Sequence, residues 1–195
     1  LISCPISRIY TNNMKNILLD SKKIDSALTR LAHEIIENNK NLENVCIIGI
    51  KSRGDVLAER IVDKILKITK SKVKSGYIDV TFYRDDFMSN LGSHKIGPSN
   101  VSCDINGLNI ILIDDVLYTG RTIRAAMDEI FSFGRPGSIE LGVLIDRGHR
   151  QLPIKASYIG KNIPTSNKEH VYVYIKDVDQ KEEVVLIKYN KNNEI

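Results

Sequence analysis

The sequence has no tryptophan, few other aromatic residues and only three cysteines among 195 residues. Cys4, Cys46 and Cys103 are widely spaced and form no CxxC motif, which argues against both a disulfide framework and a zinc site. The longest apolar runs, near residues 45–50 and 110–113, are far shorter than the roughly 18 residues that a membrane helix needs. We therefore expect a soluble protein of the reducing cytoplasm, with no membrane partner.

The overall composition is that of an ordinary globular protein, with 42% hydrophobic and 27% charged residues. This balance excludes long disordered, collagenous and coiled-coil classes. A chain of this length favours one α/β domain, alone or with a small subdomain. The formal net charge of +4 suits an anionic partner such as phosphate or nucleic acid without requiring one.

The start of the chain differs from the rest, because residues 1–13 show no clear periodicity. Met14 opens a more apolar segment. We therefore expect Met14 to be the biological start and residues 1–13 to be a non-native or disordered extension. Residues 14–195 are expected to form a single domain.

Strands and helices alternate along the sequence, which predicts right-handed crossovers and a mainly parallel sheet. Apolar residues at helical spacing predict a helix over residues 21–38. Residues 84–106 have no such period and predict a long loop, a candidate lid over an active site. Residues 51–54 are predicted to turn into a second helix through 56–68, and a third helix is predicted through 123–130. Strands are predicted at 45–50, 77–83, 109–115, 139–145, 158–160, 171–175 and 184–187.

The most informative stretch is an apolar strand that ends in Asp114 and Asp115 and continues into a loop rich in threonine and glycine. In open α/β sheets, ligands bind at this position. The N–H groups at the start of the next helix, with the hydroxyls of Thr119 and Thr122, would hold a phosphate, and Gly120 would let the backbone approach it. The carboxylates would hold ribose hydroxyls or, through water, a magnesium ion.

Other phosphate-binding motifs do not describe this stretch. It has neither the Gly-Lys-Ser/Thr of a P-loop nor the GxGxxG of a Rossmann turn. A simpler interpretation of either aspartate alone is that it caps the helix that follows the strand.

The stretch resembles the phosphoribosyl pyrophosphate (PRPP) motif of type I phosphoribosyltransferases. Four further segments, in the same order, narrow the resemblance to the PyrR family of uracil phosphoribosyltransferases, which regulate pyrimidine biosynthesis by messenger RNA attenuation. The resemblance runs from about Met14 to the end of the chain. It implies a type I phosphoribosyltransferase fold: a mainly parallel sheet flanked by helices, with a small hood and a flexible lid loop. The four segments are residues 49–54, 83–86, 146–150 and 160–166.

The resemblance implies that uracil is joined to PRPP to give UMP and pyrophosphate, with Mg²⁺ bound together with PRPP. It implies that Asp114, Asp115 and Arg53 are catalytic, with the two aspartates facing the ribose hydroxyls and holding the metal indirectly. The 5′-phosphate loop of PRPP or UMP would consist of Val116, Leu117, Tyr118, Thr119, Gly120, Arg121 and Thr122.

Two further groups follow from the resemblance. The edge of uracil would be bound by Ile145, Arg147, Lys161 and Ile163. Taken alone, the two basic residues of this set would be interpreted as surface charges. Without the resemblance, Lys51 and Arg53 would be interpreted as residues of a solvated turn, and the acidic residues of the lid would serve only to keep the lid hydrated. The pyrophosphate would be held by Lys51, Ser52, Arg53, Gly54, Arg84, Asp85 and Asp86.

The resemblance also implies a basic concave surface, formed in a dimer, that binds a stem-loop of pyr mRNA. Without the resemblance, Thr29 and His33, spaced i and i+4 on the first predicted helix, would be interpreted as an exposed polar stripe. The sequence departs from the family at Lys155, where the family commonly has arginine. Lysine lacks the planar, forked guanidinium group of arginine. The implied RNA-binding residues are Thr29, His33, His149, Arg150 and Lys155.

Two functions therefore remain open. The first is a UMP-dependent RNA-binding regulator that also has uracil phosphoribosyltransferase activity and assembles as a homodimer or a higher oligomer. The second is a dedicated salvage phosphoribosyltransferase, for uracil or a purine, without an RNA-binding role.

Overall fold

The computed structural model describes residues 14–80 and 98–188. The predicted lid residues Arg84, Asp85 and Asp86 lie outside the described residues. In chain order the elements are β1 (Met14–Asp20), α1 (Ser21–Asn38), β2 (Val45–Ile50), α2 (Gly54–Thr69), β3 (Lys74–Ile78), β4 (Asn100–Val101), β5 (Asn109–Leu117), α3 (Arg121–Phe133), β6 (Ser138–Asp146), β7 (Tyr158–Asn162), β8 (Glu169–Tyr174), α4 (Lys176–Asp179) and β9 (Glu183–Lys188).

The main sheet has the strand order β4-β3-β2-β5-β6-β7, and all its pairings are parallel except that of β4 with β3. Every residue of β2 is buried, as expected of a strand covered on both faces. The carboxyl ends of β2, β5 and β6 consequently meet at one edge of the sheet. The predicted mainly parallel α/β fold is confirmed.

Helices cover both faces of the main sheet. Ile47 and Ile111 pack with α1 and α2, whereas their neighbours Ile48 and Leu112 pack with α3. This division follows from the alternation of side chains along a strand. Two apolar layers therefore hold the central strands, and with them the ends of those strands, in fixed positions.

The predicted first helix is confirmed, with the bounds expected from its periodicity. Asp20 caps its N-terminus, because its Oδ1 accepts a hydrogen bond from the N–H of Lys23 at 2.9 Å. Its buried stripe includes Leu28, Leu31 and Ile35. This face packs into the layer that α1 shares with α2.

A second, antiparallel sheet has the order β1-β9-β8. Together with α4 it forms the hood. The strand β1 was not predicted, because its pairing with β9 depends on residues at the other end of the chain. The strand β5 runs past the predicted residue 115, because Val116 and Leu117 pair with Ile145 and Asp146 of β6. Within the two described ranges, no helix is long and apolar enough to cross a membrane.

Candidate active site

The predicted acidic pair lies near the end of β5, at the edge where β2 and β6 also end. Both side chains are buried, Asp114 being 4% and Asp115 7% exposed. The Asp115 N–H donates to Oδ1 of Asp114 at 2.9 Å, and the Val116 N–H donates to Oδ1 of Asp115 at 2.8 Å. Each carboxylate is thus fixed by the backbone of the residue that follows it.

The predicted phosphate loop connects this strand to α3. Gly120 precedes the helix with a φ of 94°, in the left-handed region that favours glycine. A Cβ at this position would also lie 3.2 Å from Cδ1 of Ile154. The buried Thr119 supplies its Oγ1 to the N–H of Arg121 at 3.3 Å. Arg121 is exposed, and Thr122 is half-buried in the first turn of the helix.

Three consecutive carbonyls of the phosphate loop, those of Leu117, Tyr118 and Thr119, accept hydrogen bonds from the residues that follow β6. Leu117 O accepts from the N–H of Arg147, Tyr118 O from the guanidinium of Arg150, and Thr119 O from backbone N–H groups. In a planar trans peptide the C=O and the next N–H point in opposite directions. The N–H groups of Tyr118, Thr119 and Gly120 therefore face away from these residues, in the arrangement that an anion requires.

The predicted pyrophosphate segment, residues 51–54, lies beside the acidic pair. Its Lys51–Ser52 peptide is cis, and the Nζ of Lys51 lies 4.1 Å from the centroid of the Tyr77 ring. Gly54 is buried against β5, where an added Cβ would lie 2.5 Å from the carbonyl oxygen of Ile113. This close approach brings the start of α2 against the strand that carries the two aspartates.

Arg53 connects the pyrophosphate segment to the hood. Its Nε and Nη2 donate to the two carboxylate oxygens of Asp179 in α4, at 2.9 and 2.8 Å. Burial disfavours ionisation of Asp179, but the hydrogen bonds from Arg53 and the Ile175 N–H outweigh it and lower the pKa of this carboxyl. The sequence analysis did not single out Asp179, and no local signal marks it, since 126 positions separate it from its partner.

Of the predicted uracil-binding residues, three lie together where β6 ends. Ile145 and Ile163 are buried, and the Ile163 N–H donates to the Asp146 carbonyl at 2.8 Å. Arg147 is only 4% exposed, and its guanidinium lies 4.1 Å from the Tyr118 ring centroid. Burial lowers the pKa of Arg147.

Arg147 is further held by the hood, donating to the Glu169 carbonyl at 2.7 Å and to Oγ1 of Thr165 at 3.3 Å. Lys161 differs from the other three residues, because it is exposed and its Nζ approaches the Leu18 carbonyl of β1 at 3.5 Å. The structure therefore ties Arg147 to both the phosphate loop and the hood.

The predicted RNA-binding residues fall into two groups. Thr29 and His33 lie on α1, where His33 is exposed and Oγ1 of Thr29 accepts a hydrogen bond from Lys64 at 2.9 Å. Lys155 is exposed between Ile154 and Ala156, which pack into the layer of α3. Thr29 and His33 thus lie on α1, whereas Lys155 belongs to the connection between β6 and β7.

His149 and Arg150 lie over the phosphate loop. His149 is exposed, and its Nε2 is hydrogen-bonded to the Thr165 carbonyl. Arg150 is half-buried, and its Nη2 forms a salt bridge with Asp146. Its guanidinium is directed into the fold, toward the carbonyl oxygens of Leu117 and Tyr118.

The acidic pair can serve a divalent cation. Over the described ranges, no group of three or more His, Cys, Asp or Glu side chains could hold a metal ion. Mg²⁺ does not require such a cage, since it is often bound by one or two carboxylates together with substrate phosphates. Asp114 and Asp115 fit that requirement.

The sequence is similar to those of known proteins. Residues 14–177 match the model of the phosphoribosyl transferase domain. The chain is 50% identical over 171 residues to the bifunctional protein PyrR of Fusobacterium nucleatum subsp. nucleatum, covering 88% of this chain and 97% of that protein. It is 49% identical over 176 residues to the bifunctional protein PyrR of Bacillus subtilis, covering 89% and 97% of the two chains.

Solved structures agree at the level of the fold. A hypoxanthine phosphoribosyltransferase of Trypanosoma cruzi in complex with the product IMP matches with a TM-score of 0.67 at 19% identity, covering 93% of this chain and 94% of that one. A hypoxanthine-guanine phosphoribosyltransferase of Bacillus anthracis matches with a TM-score of 0.65, also at 19% identity, covering 89% and 98% of the two chains.

Proposed function

Because the chain belongs to the phosphoribosyl transferase family and, within it, to the PyrR proteins, we propose that it converts uracil and PRPP into UMP and pyrophosphate and that it regulates pyrimidine biosynthetic genes by UMP-dependent binding of pyr mRNA. The observation that carries the enzymatic part is the buried pair Asp114 and Asp115 directly before a loop whose carbonyls bind the residues after β6, which turns the following N–H groups the other way. Such a pair places negative charge next to an anion cradle, which suits a ribose that carries a 5′-phosphate.

The charges of the site match the demands of the reaction. The anomeric carbon becomes electron-poor as pyrophosphate departs, so Asp114 and Asp115 stabilise it from the ribose side. Lys51 and Arg53 supply positive charge toward the leaving group. Asp114 and Asp115, together with PRPP, would hold Mg²⁺ indirectly, and the ion would supply further positive charge for the pyrophosphate.

Binding of the base belongs to the hood. The buried Ile145 and Ile163 and the cation of Arg147 border the end of β6, and Lys161 lies farther out, toward β1. Arg84, Asp85 and Asp86 would close over the pyrophosphate. An assay with uracil, hypoxanthine and guanine as alternative substrates separates this proposal from a purine phosphoribosyltransferase.

UMP gives the site its second role. As a product held by the phosphate loop, UMP reports the supply of pyrimidines, and one site then serves both catalysis and regulation. RNA binding by Thr29, His33, His149, Arg150 and Lys155 in a cytoplasmic homodimer would transmit this signal. A dedicated salvage enzyme would lack this response.

The enzymatic part is tested by replacing the acidic pair. We expect Asp114→Asn and Asp115→Asn to retain the fold and to reduce UMP formation by about 100-fold or more, because the charge near the ribose is lost. The measurement is the rate of UMP formation from uracil and PRPP with Mg²⁺, with circular dichroism as the check on folding. Asp63→Asn, at an exposed position of α2, is the matched control. Unchanged turnover in both variants would refute the placement.

A further inference from the structure

The connection that follows β6 runs across the phosphate loop and contacts it along its length. We call residues 147–154 the crossing segment. Its first contact is the Arg147 N–H, which donates to the Leu117 carbonyl at 3.2 Å. Arg147 also covers one face of the Tyr118 ring. The crossing segment therefore begins against the first residues of the loop.

Arg150 is the centre of this contact. Its Nη1 donates to the carbonyls of Leu117 and Tyr118 at 3.3 and 3.0 Å and to that of Gly148 at 3.2 Å. Its Nε donates to the Ile154 carbonyl at 3.1 Å. The salt bridge to Asp146 holds the other end of the guanidinium. Five acceptors thus direct this side chain toward the backbone of the loop and of its own segment.

The rest of the crossing segment contacts the second half of the loop. The N–H groups of Gln151 and Leu152 donate to the Thr119 carbonyl at 3.0 and 3.1 Å. Oε1 of Gln151 accepts from Nε and Nη2 of Arg121 at 3.2 and 2.9 Å. Leu152 also faces Gly120, where an added Cβ would lie 3.4 Å from its own Cβ.

The same segment carries a residue of the predicted RNA surface. Gly148 and His149 adopt positive φ angles of 79° and 61°, which form a sharp turn and leave the His149 side chain exposed. The His149 ring meets the Tyr118 ring edge-on, with centroids 6.4 Å apart. His149 therefore contacts Tyr118 of the phosphate loop and is also exposed to solvent.

We propose that the crossing segment couples occupancy of the phosphate loop to the surface around His149, and that Arg150 is a positioning residue for the loop. This inference rests on the proposed function, because it assumes that a nucleotide phosphate binds the loop. It assigns Arg150 a role inside the protein in addition to the RNA contact proposed above.

The coupling has a physical basis in the peptide units of the loop. Each of the units 117–118, 118–119 and 119–120 directs its C=O to the crossing segment and its N–H to the opposite side. A phosphate that accepts from the N–H groups polarises the same peptides and strengthens the hydrogen bonds to their carbonyls. Phosphate binding should consequently order residues 150–152, and a ligand that orders the crossing segment should tighten phosphate binding by the same factor.

Amide hydrogen exchange tests the coupling without RNA. The probe is UMP at saturation, compared with uridine, which has the same base and ribose but no phosphate. We expect UMP to slow exchange of the Gln151 and Leu152 amides by about threefold or more, and uridine to leave them unchanged. Equal exchange in the presence and absence of bound UMP would overturn the proposal.

Variants of Arg150 identify the positioning residue. Lysine keeps the positive charge but cannot reach the same set of acceptors, so Arg150→Lys is expected to raise the Kd for UMP about tenfold and to abolish the UMP-dependent protection. Arg150→Ala should show the same effects more strongly. Arg124→Lys is the matched control, because Arg124 also pairs with an aspartate four positions away but lies exposed on α3.

Steady-state kinetics separate positioning from a general loss of stability. Arg150→Lys is expected to raise the KM for PRPP while the KM for uracil stays the same, a pattern that simple destabilisation does not produce. Wild-type KM values together with wild-type protection in Arg150→Lys would overturn the assignment. Failure of the wild-type protein to bind UMP would instead refute the proposed function itself, and calorimetry of UMP binding distinguishes the two results.

Discussion

Among the individual residues, Arg53 and Asp179 show how the site is held before substrate arrives. Arg53 belongs to the segment expected to meet pyrophosphate, and Asp179 fixes its guanidinium through two hydrogen bonds. The pair is largely buried, with side-chain exposures of 24% and 15%. Asp179 is therefore part of the reason why Arg53 has one defined orientation.

This ion pair makes stability depend on pH. The pKa of Asp179 is lowered in the folded protein, so its carboxylate stabilises the fold at pH values above its unfolded pKa of about 3.9. The contribution is lost as the pH falls through the folded pKa. We expect Asp179→Asn to lower the free energy of unfolding by about 1–3 kcal/mol near neutral pH, and the difference from wild type to shrink below about pH 4.

Urea denaturation at several pH values between 3 and 7 measures this difference. Asp128→Asn is the control, since Asp128 pairs with Arg124 on the surface, where both side chains are more than half exposed. Such a pair contributes little. A difference between Asp179→Asn and wild type that does not change with pH would contradict the assignment.

Among the secondary-structure elements, the contact between α2 and β5 brings two parts of the site together. The helix α2 begins at Gly54, the last residue of the segment 51–54, and the acidic pair lies near the end of β5. Gly54 lies so close to Ile113 and Asp114 that no side chain fits between the helix and the strand. The distance between the pyrophosphate segment and the aspartates is thus set by a glycine.

A methyl group at this position should separate the two elements. We expect Gly54→Ala to destabilise the protein by about 1–3 kcal/mol through overpacking and to lower the rate of UMP formation, because residues 51–54 move away from the aspartates. Thermal unfolding and the UMP assay measure the two effects. Glu59→Ala, at an exposed position of the same helix, should change neither. Wild-type stability in Gly54→Ala would show that the contact is looser than the structure indicates.

For the whole molecule, the predicted RNA-binding residues come from distant parts of the chain. Thr29 and His33 lie on α1, whereas Lys155 lies between Ile154 and Ala156, which pack with α3. No single element therefore carries all of these residues. Two copies in a dimer would bring additional copies of these residues to a bound RNA, as the family resemblance implies.

RNA binding provides the test at this scale. The RNA is a stem-loop transcribed from the leader of a pyrimidine operon of the source organism. We expect a plot of log Kd against the logarithm of the salt concentration to have a slope of about 0.7 per neutralised phosphate. UMP should tighten binding. Lys155→Ala should remove about one phosphate from this count, and Lys72→Ala, at an exposed site between α2 and β3, should not. Indifference of a filter-binding titration to UMP would favour the dedicated salvage enzyme.

Several features were accessible from local sequence alone. The periodicity of residues 21–38 and the apolar runs of β2, β5 and β6 predicted elements that the structure contains. The order of acidic pair, Thr119 and Gly120 predicts a phosphate loop, because such a loop is built from neighbours in the chain. The family assignment from these motifs is confirmed by identities of about 50% to PyrR proteins.

Other features depended on contacts between distant parts of the chain. The strand β1 exists through its pairing with β9, and Asp179 meets Arg53 only after the hood has folded onto α2. In the sequence, Arg150 is not distinguished from other basic loop residues. Its guanidinium is surrounded by carbonyl groups only in the folded chain. Local patterns determine which elements form and which chemistry they carry. Tertiary packing decides which charges are paired, because hydrogen-bond partners are chosen by position in space.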